Sequence, residues 1–111
     1  MSSELRQNHV KIINQLFELE KKIAGKEELL SLLRNIERIK NTFEEMGLQV
    51  LNPLGEPYSE TRTDCTASIS GDSIEDLYIS NVIKPIVYEQ ENGSRQLLQK
   101  GVVIAERKKI T

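Results

Sequence analysis

The first half of the chain strongly favours helix. From Ser3 to Met46 there is no proline and one glycine, and Leu, Glu, Lys and Arg dominate. These residues have high helix propensity. From Gly47 onwards the spacing of apolar residues becomes that of strands, interrupted by turn residues. The sequence predicts an α+β protein, with a helical dimerisation arm (coiled coil or helix bundle) over residues 1–46 and a small antiparallel β head over 47–111.

The helical arm carries an apolar seam. Apolar residues recur at alternating intervals of three and four, which average 3.5 residues and keep a seam facing one partner helix. A lone helix pair and a small head could not bury this seam fully, so it predicts a homodimer. The seam consists of Leu29, Leu32, Ile36, Ile39, Phe43 and Met46.

Gly25 lies where the apolar pattern changes phase. A glycine inside a helix costs about 1 kcal/mol relative to alanine, so a break is favoured there. We expect two helices, roughly 3–24 and 26–46. One continuous helix is the alternative, and a parallel or antiparallel dimer is equally compatible with the pattern.

The second half contains four apolar segments that favour strands. Pro85 lies inside the third segment and weakens its pairing or places it at a sheet edge. Asn92-Gly93, between the third and fourth segments, is a strong signal for a two-residue hairpin turn. The segments are Leu48–Leu51, Cys65–Ile69, Ile79–Tyr88 and Leu97–Ala105.

Composition narrows the possible functions. The net charge of −2 argues against a general nucleic-acid binder. The single cysteine, Cys65, excludes an internal disulfide and a cysteine-rich zinc site. There is no run of 18 apolar residues and no secretory h-region near the start, so we expect no membrane segment and a cytoplasmic protein.

The sequence contains few candidates for catalytic residues. The only histidine, His9, is expected on a solvated helix surface, and Cys65 is expected to be a small buried hydrophobe. The chain has no GxxxxGK[ST] loop, no GxGxxG and no paired metal-ligand motif. We therefore expect no enzyme activity, no catalytic residue, no cofactor and no metal.

The order of these weak signals is similar to that of the GrpE nucleotide exchange factors. In that family a bundle helix ends in a G-V-x-x-I type strand, followed by a turn and a G-x-x-F/Y/L-D-P type segment. An apolar strand, an Asn-Gly turn and a valine-rich closing strand complete the head. The residues that match the helix-to-head junction are Gly47, Leu48, Val50, Leu51, Gly55, Pro57 and Tyr58.

Two departures from the family pattern concern polar residues. The histidine of the family's N-x-H-x-A segment corresponds to Thr63, and the L-R-P-A step corresponds to Leu98-Gln99-Lys100-Gly101. Gln99 thus stands where the family has arginine.

The resemblance implies a co-chaperone that binds the ATPase domain of a DnaK-type chaperone and promotes ADP release. The final hairpin would supply the contacts, through Tyr88, Arg95, Leu97 and Lys100. The alternative is a structural or interaction protein that keeps this fold, dimerises and docks a partner without exchange activity.

Overall fold

The computed structural model describes residues 3–108, with Ser3 described through its backbone alone. Two α-helices joined by a 3-10 turn come first, and seven strands follow, which confirms the α+β class. The elements are α1 Ser3–Ile23, the 3-10 turn Glu27–Leu29, α2 Leu30–Glu45, β1 Leu48–Leu51, β2 Pro57–Tyr58, β3 Cys65–Ser70, β4 Leu77–Lys84, β5 Ile86–Glu91, β6 Ser94–Gln99 and β7 Gly101–Arg107.

The break between the helices lies at Gly25, as predicted. Its φ of +81° falls in the left-handed region, which glycine adopts without a steric penalty. The last helical bond before it runs from the Ala24 N–H to the Glu20 carbonyl, at 3.1 Å. The two-helix prediction is confirmed. Within the described residues neither helix combines the length and apolarity needed to cross a membrane.

The strands form two sheets. One has the order β1-β5-β6 and the other the order β2-β4-β7-β3. β3 runs parallel to β7, from the pair Cys65 and Gly101 to the pair Ser70 and Glu106. The prediction of a purely antiparallel head is therefore wrong, because β3 reaches β7 by a long connection and not by a hairpin.

Two predicted strands are each divided in the structure. The segment Ile79–Tyr88 is split at Pro85 into β4 and β5, and Leu97–Ala105 is split at Lys100 into β6 and β7. Proline cannot donate a backbone hydrogen bond to a ladder, so a strand readily changes sheets there. The Gln99 side-chain amide donates to the Pro85 carbonyl at 2.9 Å. Each arm of the hairpin thus contributes to both sheets.

The chain divides into two compact units. One combines Met1–Gln49 with Tyr88–Leu98, and the other combines Val50–Val87 with Gln99–Thr111. In the first unit both helices and the start of β1 supply a buried apolar core, which comprises Ile13, Leu16, Phe17, Ile23, Ile36, Phe43 and Leu48. The second unit buries Cys65, Leu77, Ile79, Val82, Ile86, Val87, Val103 and Ala105.

Gly47 makes the junction between α2 and β1. Its φ is +89°, and its N–H donates to the Glu44 carbonyl at 2.9 Å, which ends the helix. Its own carbonyl accepts the Gln90 N–H at 2.7 Å, so the same residue begins the pairing with β5. A Cβ at this position would lie 2.8 Å from the Gln90 carbonyl oxygen. Glycine is therefore required for both its conformation and its size.

The turn at Asn92-Gly93 has the predicted geometry. The φ angles are +52° at Asn92 and +81° at Gly93, so both central residues are left-handed. This matches the two-residue hairpin turn that follows the twist of the strands. Unlike Gly47, Gly93 has open space around the position of a Cβ.

These two glycines give a matched pair of variants. Gly93→Ala should lose about 1 kcal/mol of unfolding free energy, because only the left-handed conformation is penalised. Gly47→Ala should lose about 3 kcal/mol, because a Cβ contact with fixed backbone adds to the same penalty. Urea unfolding of both variants and the wild type measures the difference. Equal losses would show that the close approach to Gln90 carries no energetic weight.

Candidate functional site

The β1-β5-β6 sheet presents two different faces in the first unit. Side chains alternate between faces along a strand. On β5, Glu89 is buried and its Oε1 lies 3.0 Å from Nε of Arg6 on α1. The neighbouring residues Tyr88 and Gln90 therefore point to the opposite face, away from this ion pair. Arg6 of α1 thus meets one face of β5, and Gln90 is exposed on the other.

We call this open surface the hairpin face. It is defined by one residue of β1, two of β5 and two of β6. Arg95 belongs to it through its contacts, and Leu97 follows at the next same-side position of β6. The hairpin face consists of Gln49, Tyr88, Gln90, Arg95 and Leu97.

Arg95 is exposed but held in place. Its guanidinium carbon lies 3.8 Å from the centroid of the Tyr88 ring. One terminal nitrogen, Nη1, donates to the Gln49 side-chain oxygen at 3.4 Å. A cation over an exposed aromatic ring gains about 0.5–1 kcal/mol. The stacking therefore orients a positive charge at the surface of the hairpin.

The structure thus brings three of the four predicted partner-binding residues to one face. Tyr88 and Leu97 are half-buried, so each contributes apolar surface while also supporting the sheet. Lys100 is exposed and lies between β6 and β7, in the second compact unit. The role of all four residues in partner binding stays a prediction. Sequence reasoning missed Gln49, whose position on β1 gave no sign of a contact with β6.

The predicted dimerisation residues separate into two groups. Ile36 and Phe43 are buried inside the first unit, and Leu29 is half-buried. The other three are spaced by seven residues and expose more than two fifths of their surface: Leu32 47%, Ile39 43% and Met46 42%. One side of the seam therefore packs within the chain, and the other lies on the surface.

α1 has a second exposed apolar stripe with the same spacing. Leu5, Ile12 and Leu19 are 46%, 49% and 47% exposed. Sequence reasoning missed this stripe, although its repeat of seven is visible in the sequence. Two helices of one chain thus present apolar residues at heptad intervals.

His9 departs from its prediction. Its Nδ1 is buried without a hydrogen-bond partner among the described residues, and its ring meets the Phe43 ring edge-on at 6.0 Å between centroids. The expectation of a solvated helix-surface histidine is wrong, because α2 packs Phe43 against this turn of α1. Its contact with Phe43 makes it part of the helix packing.

A polar cluster in the second unit fixes the segment before β3. The Arg62 guanidinium bonds to the Asp64 carboxylate and, through Nη2, to Glu56 at 2.8 Å. The bond from Arg62 holds the pKa of Asp64 below its usual value, and the pKa of Arg62 is raised by the same bond. Glu56, Arg62 and Asp64 all belong to one short segment of the chain, and we call these three residues the clamp.

Cys65 follows this cluster as a buried thiol, which confirms its prediction. Burial raises the pKa of the thiol, so little reactive thiolate forms near neutral pH. Tyr78 bonds to Glu106 at 2.9 Å, and that bond raises the pKa of its hydroxyl. Residues 3–108 contain no group of three or more His, Cys, Asp or Glu that could hold a metal ion.

Comparison of the chain with protein-family models, with curated proteins and with solved structures gives no match.

We expect the bond between Arg62 and Asp64 to make the free energy of unfolding depend on pH. A carboxyl group whose pKa is lower in the folded than in the unfolded protein stabilises the fold above its unfolded pKa, near 3.8 for Asp64. That contribution is lost as the pH falls through the folded pKa. Asp64→Asn should cost about 1 kcal/mol at pH 7, and the difference from wild type should shrink at about pH 2–3. Urea unfolding at both pH values measures this, and a constant difference would contradict it.

Proposed function

We propose that this protein is a GrpE-like co-chaperone that promotes ADP release from the ATPase domain of a DnaK-type chaperone. Its element order supports this proposal: two helices, a glycine junction, a β head and a final Asn-Gly hairpin. The observation that carries most weight is the hairpin face, where Arg95 is stacked on Tyr88 beside Leu97. Such a partner would place the protein in the cytoplasm.

The proposed activity needs no catalytic group. A protein that binds the open nucleotide cleft more tightly than the ADP-closed cleft lowers the affinity for ADP by the same factor. A coupling of about 1–3 kcal/mol is typical and changes affinity about 5–150-fold. The requirement on this chain is a rigid surface that distinguishes the two states of the cleft. A sheet face with a fixed cation meets that requirement.

A specific contact favours the second candidate, a docking protein without exchange activity. Gln99 occupies the position that corresponds to the family's arginine, and its amide donates to the Pro85 carbonyl. This side chain therefore contributes to the internal structure of the hairpin, where an arginine could extend towards a partner. A protein with this difference could bind the ATPase domain and leave the nucleotide in place.

We also propose a homodimer through the helices. The two exposed stripes, Leu5/Ile12/Leu19 on α1 and Leu32/Ile39/Met46 on α2, are apolar surface that a monomer leaves in water. Burial of apolar area stabilises association by about 25 cal/mol per Å² before the entropic cost of association is subtracted. A second copy supplies the same heptad-spaced residues, so the surface is self-complementary.

The exchange activity can be tested by stopped-flow release of a fluorescent ADP analogue. The ATPase domain of a DnaK-type chaperone from the same organism is mixed with excess unlabelled nucleotide, with and without this protein. We expect release to accelerate at least about fivefold at saturation, since typical couplings begin at that size. Binding without acceleration would favour the docking protein. No acceleration together with no binding by calorimetry would contradict the exchange factor and leave only the structural protein.

The dimer can be tested with charged substitutions on the exposed stripe. Leu32→Asp with Ile39→Asp should give a folded monomer, because these side chains are already on the surface. Ile36→Asp serves as the contrast: it should unfold the first unit, since it places a charge in the core. Sedimentation and circular dichroism separate the two effects. A wild type that sediments as a monomer at about 100 µM, where even micromolar association is nearly complete, would contradict the dimer.

A further inference from the structure

We propose that Arg95 is the anchor of the partner interface and that its ligand is a carboxylate side chain of the partner protein. The inference rests on the proposed function, since it names the chemistry recognised by the same hairpin face. Its basis is the geometry of one side chain: the contacts that hold it and the donors that these contacts leave unused.

An exposed arginine ordinarily samples many rotamers. Fixing such a side chain costs conformational entropy. Here the Tyr88 ring and the Gln49 oxygen restrict Arg95 before any partner arrives. Binding a partner therefore costs less side-chain conformational entropy, which is the general advantage of a preorganised contact. Arginine and tyrosine are also the residue types that dominate binding energy in protein interfaces.

The two contacts leave most of the guanidinium available. Arginine carries five N–H donors in one plane, and the bond to Gln49 uses one of them. The structure gives Arg95 no further hydrogen-bond acceptor among residues 3–108. Stacking on Tyr88 covers one face of the guanidinium group. The N–H groups lie at the edge of its plane and stay available to a partner. A planar fork of two parallel N–H donors matches a carboxylate, which accepts both bonds at once.

The surroundings of Arg95 favour a carboxylate over a phosphate group. Arg95 is the one charged residue of the five that define the hairpin face; the others are two amides, Tyr88 and Leu97. A single cation balances the single charge of a carboxylate, whereas a phosphate carries more charge and is usually bound by several donors. Leu97, half-buried on the same face, provides apolar contact beside the charge. The expected ligand is an Asp or Glu beside an apolar patch.

The test measures affinity for the same DnaK-type ATPase domain by calorimetry. Arg95→Ala should weaken binding about 30-fold, the loss typical of an anchor residue. Arg95→Lys keeps the charge but loses the fork and the stacking, so it should weaken binding about 10-fold. Tyr88→Leu should cost about 10-fold by releasing Arg95, while Tyr88→Phe keeps the ring and should change affinity less than about threefold.

Arg34→Ala is the matched control. It removes the same charge from an exposed position of α2 and should leave binding unchanged. Replacing single surface Asp or Glu residues of the ATPase domain with Arg should then identify a variant that binds the Arg95→Glu protein but not the wild type. Finding that pair would establish the carboxylate.

The two proposals fail in different ways. If the wild type binds and Arg95→Ala binds equally well, the anchor is wrong, while the co-chaperone function is not contradicted and is decided by the ADP-release assay. The anchor is also wrong if Arg95→Lys binds like the wild type, since a simple charge would then suffice. If the wild type does not bind the ATPase domain at all, both proposals are overturned.

Discussion

The structure of the first unit depends on a backbone approach that only one residue type permits. Gly47 ends α2 with a left-handed conformation and presents its carbonyl to the Gln90 N–H at 2.7 Å. Any side chain there would meet the Gln90 carbonyl oxygen. Because β5 also carries Tyr88 and Glu89, this single approach sets the position of the hairpin face relative to the helices of the same unit.

On the central strand β5, adjacent side chains point to opposite faces of the sheet. Glu89 points to the helical side, where Arg6 Nε lies 3.0 Å from its carboxylate without the alignment of a directed hydrogen bond. Its neighbour Tyr88 points the other way and supports Arg95. A buried charge requires a partner, so Glu89 links the strand to α1, whereas an exposed charge is free to meet another protein. Adjacent residues thus serve two separate purposes.

Local patterns predicted local features well. The break at Gly25 and the left-handed turn at Asn92-Gly93 both follow from the conformational freedom of glycine and asparagine. Three of the four predicted partner-binding residues could be placed on one hairpin for the same reason. Pairings between distant segments could not be predicted. The parallel contact of β3 with β7 and the division of the last predicted strand at Lys100 depend on tertiary packing. The helical seam predicted apolar contact but not which residues the chain itself would bury.

The interleaving of the two compact units has a consequence for synthesis on the ribosome. The helices emerge first, yet their unit also needs Tyr88–Leu98, and the other unit needs the segment that follows. Neither unit can complete its contacts until the second of its two segments has been translated. Nor can a single truncation isolate either unit.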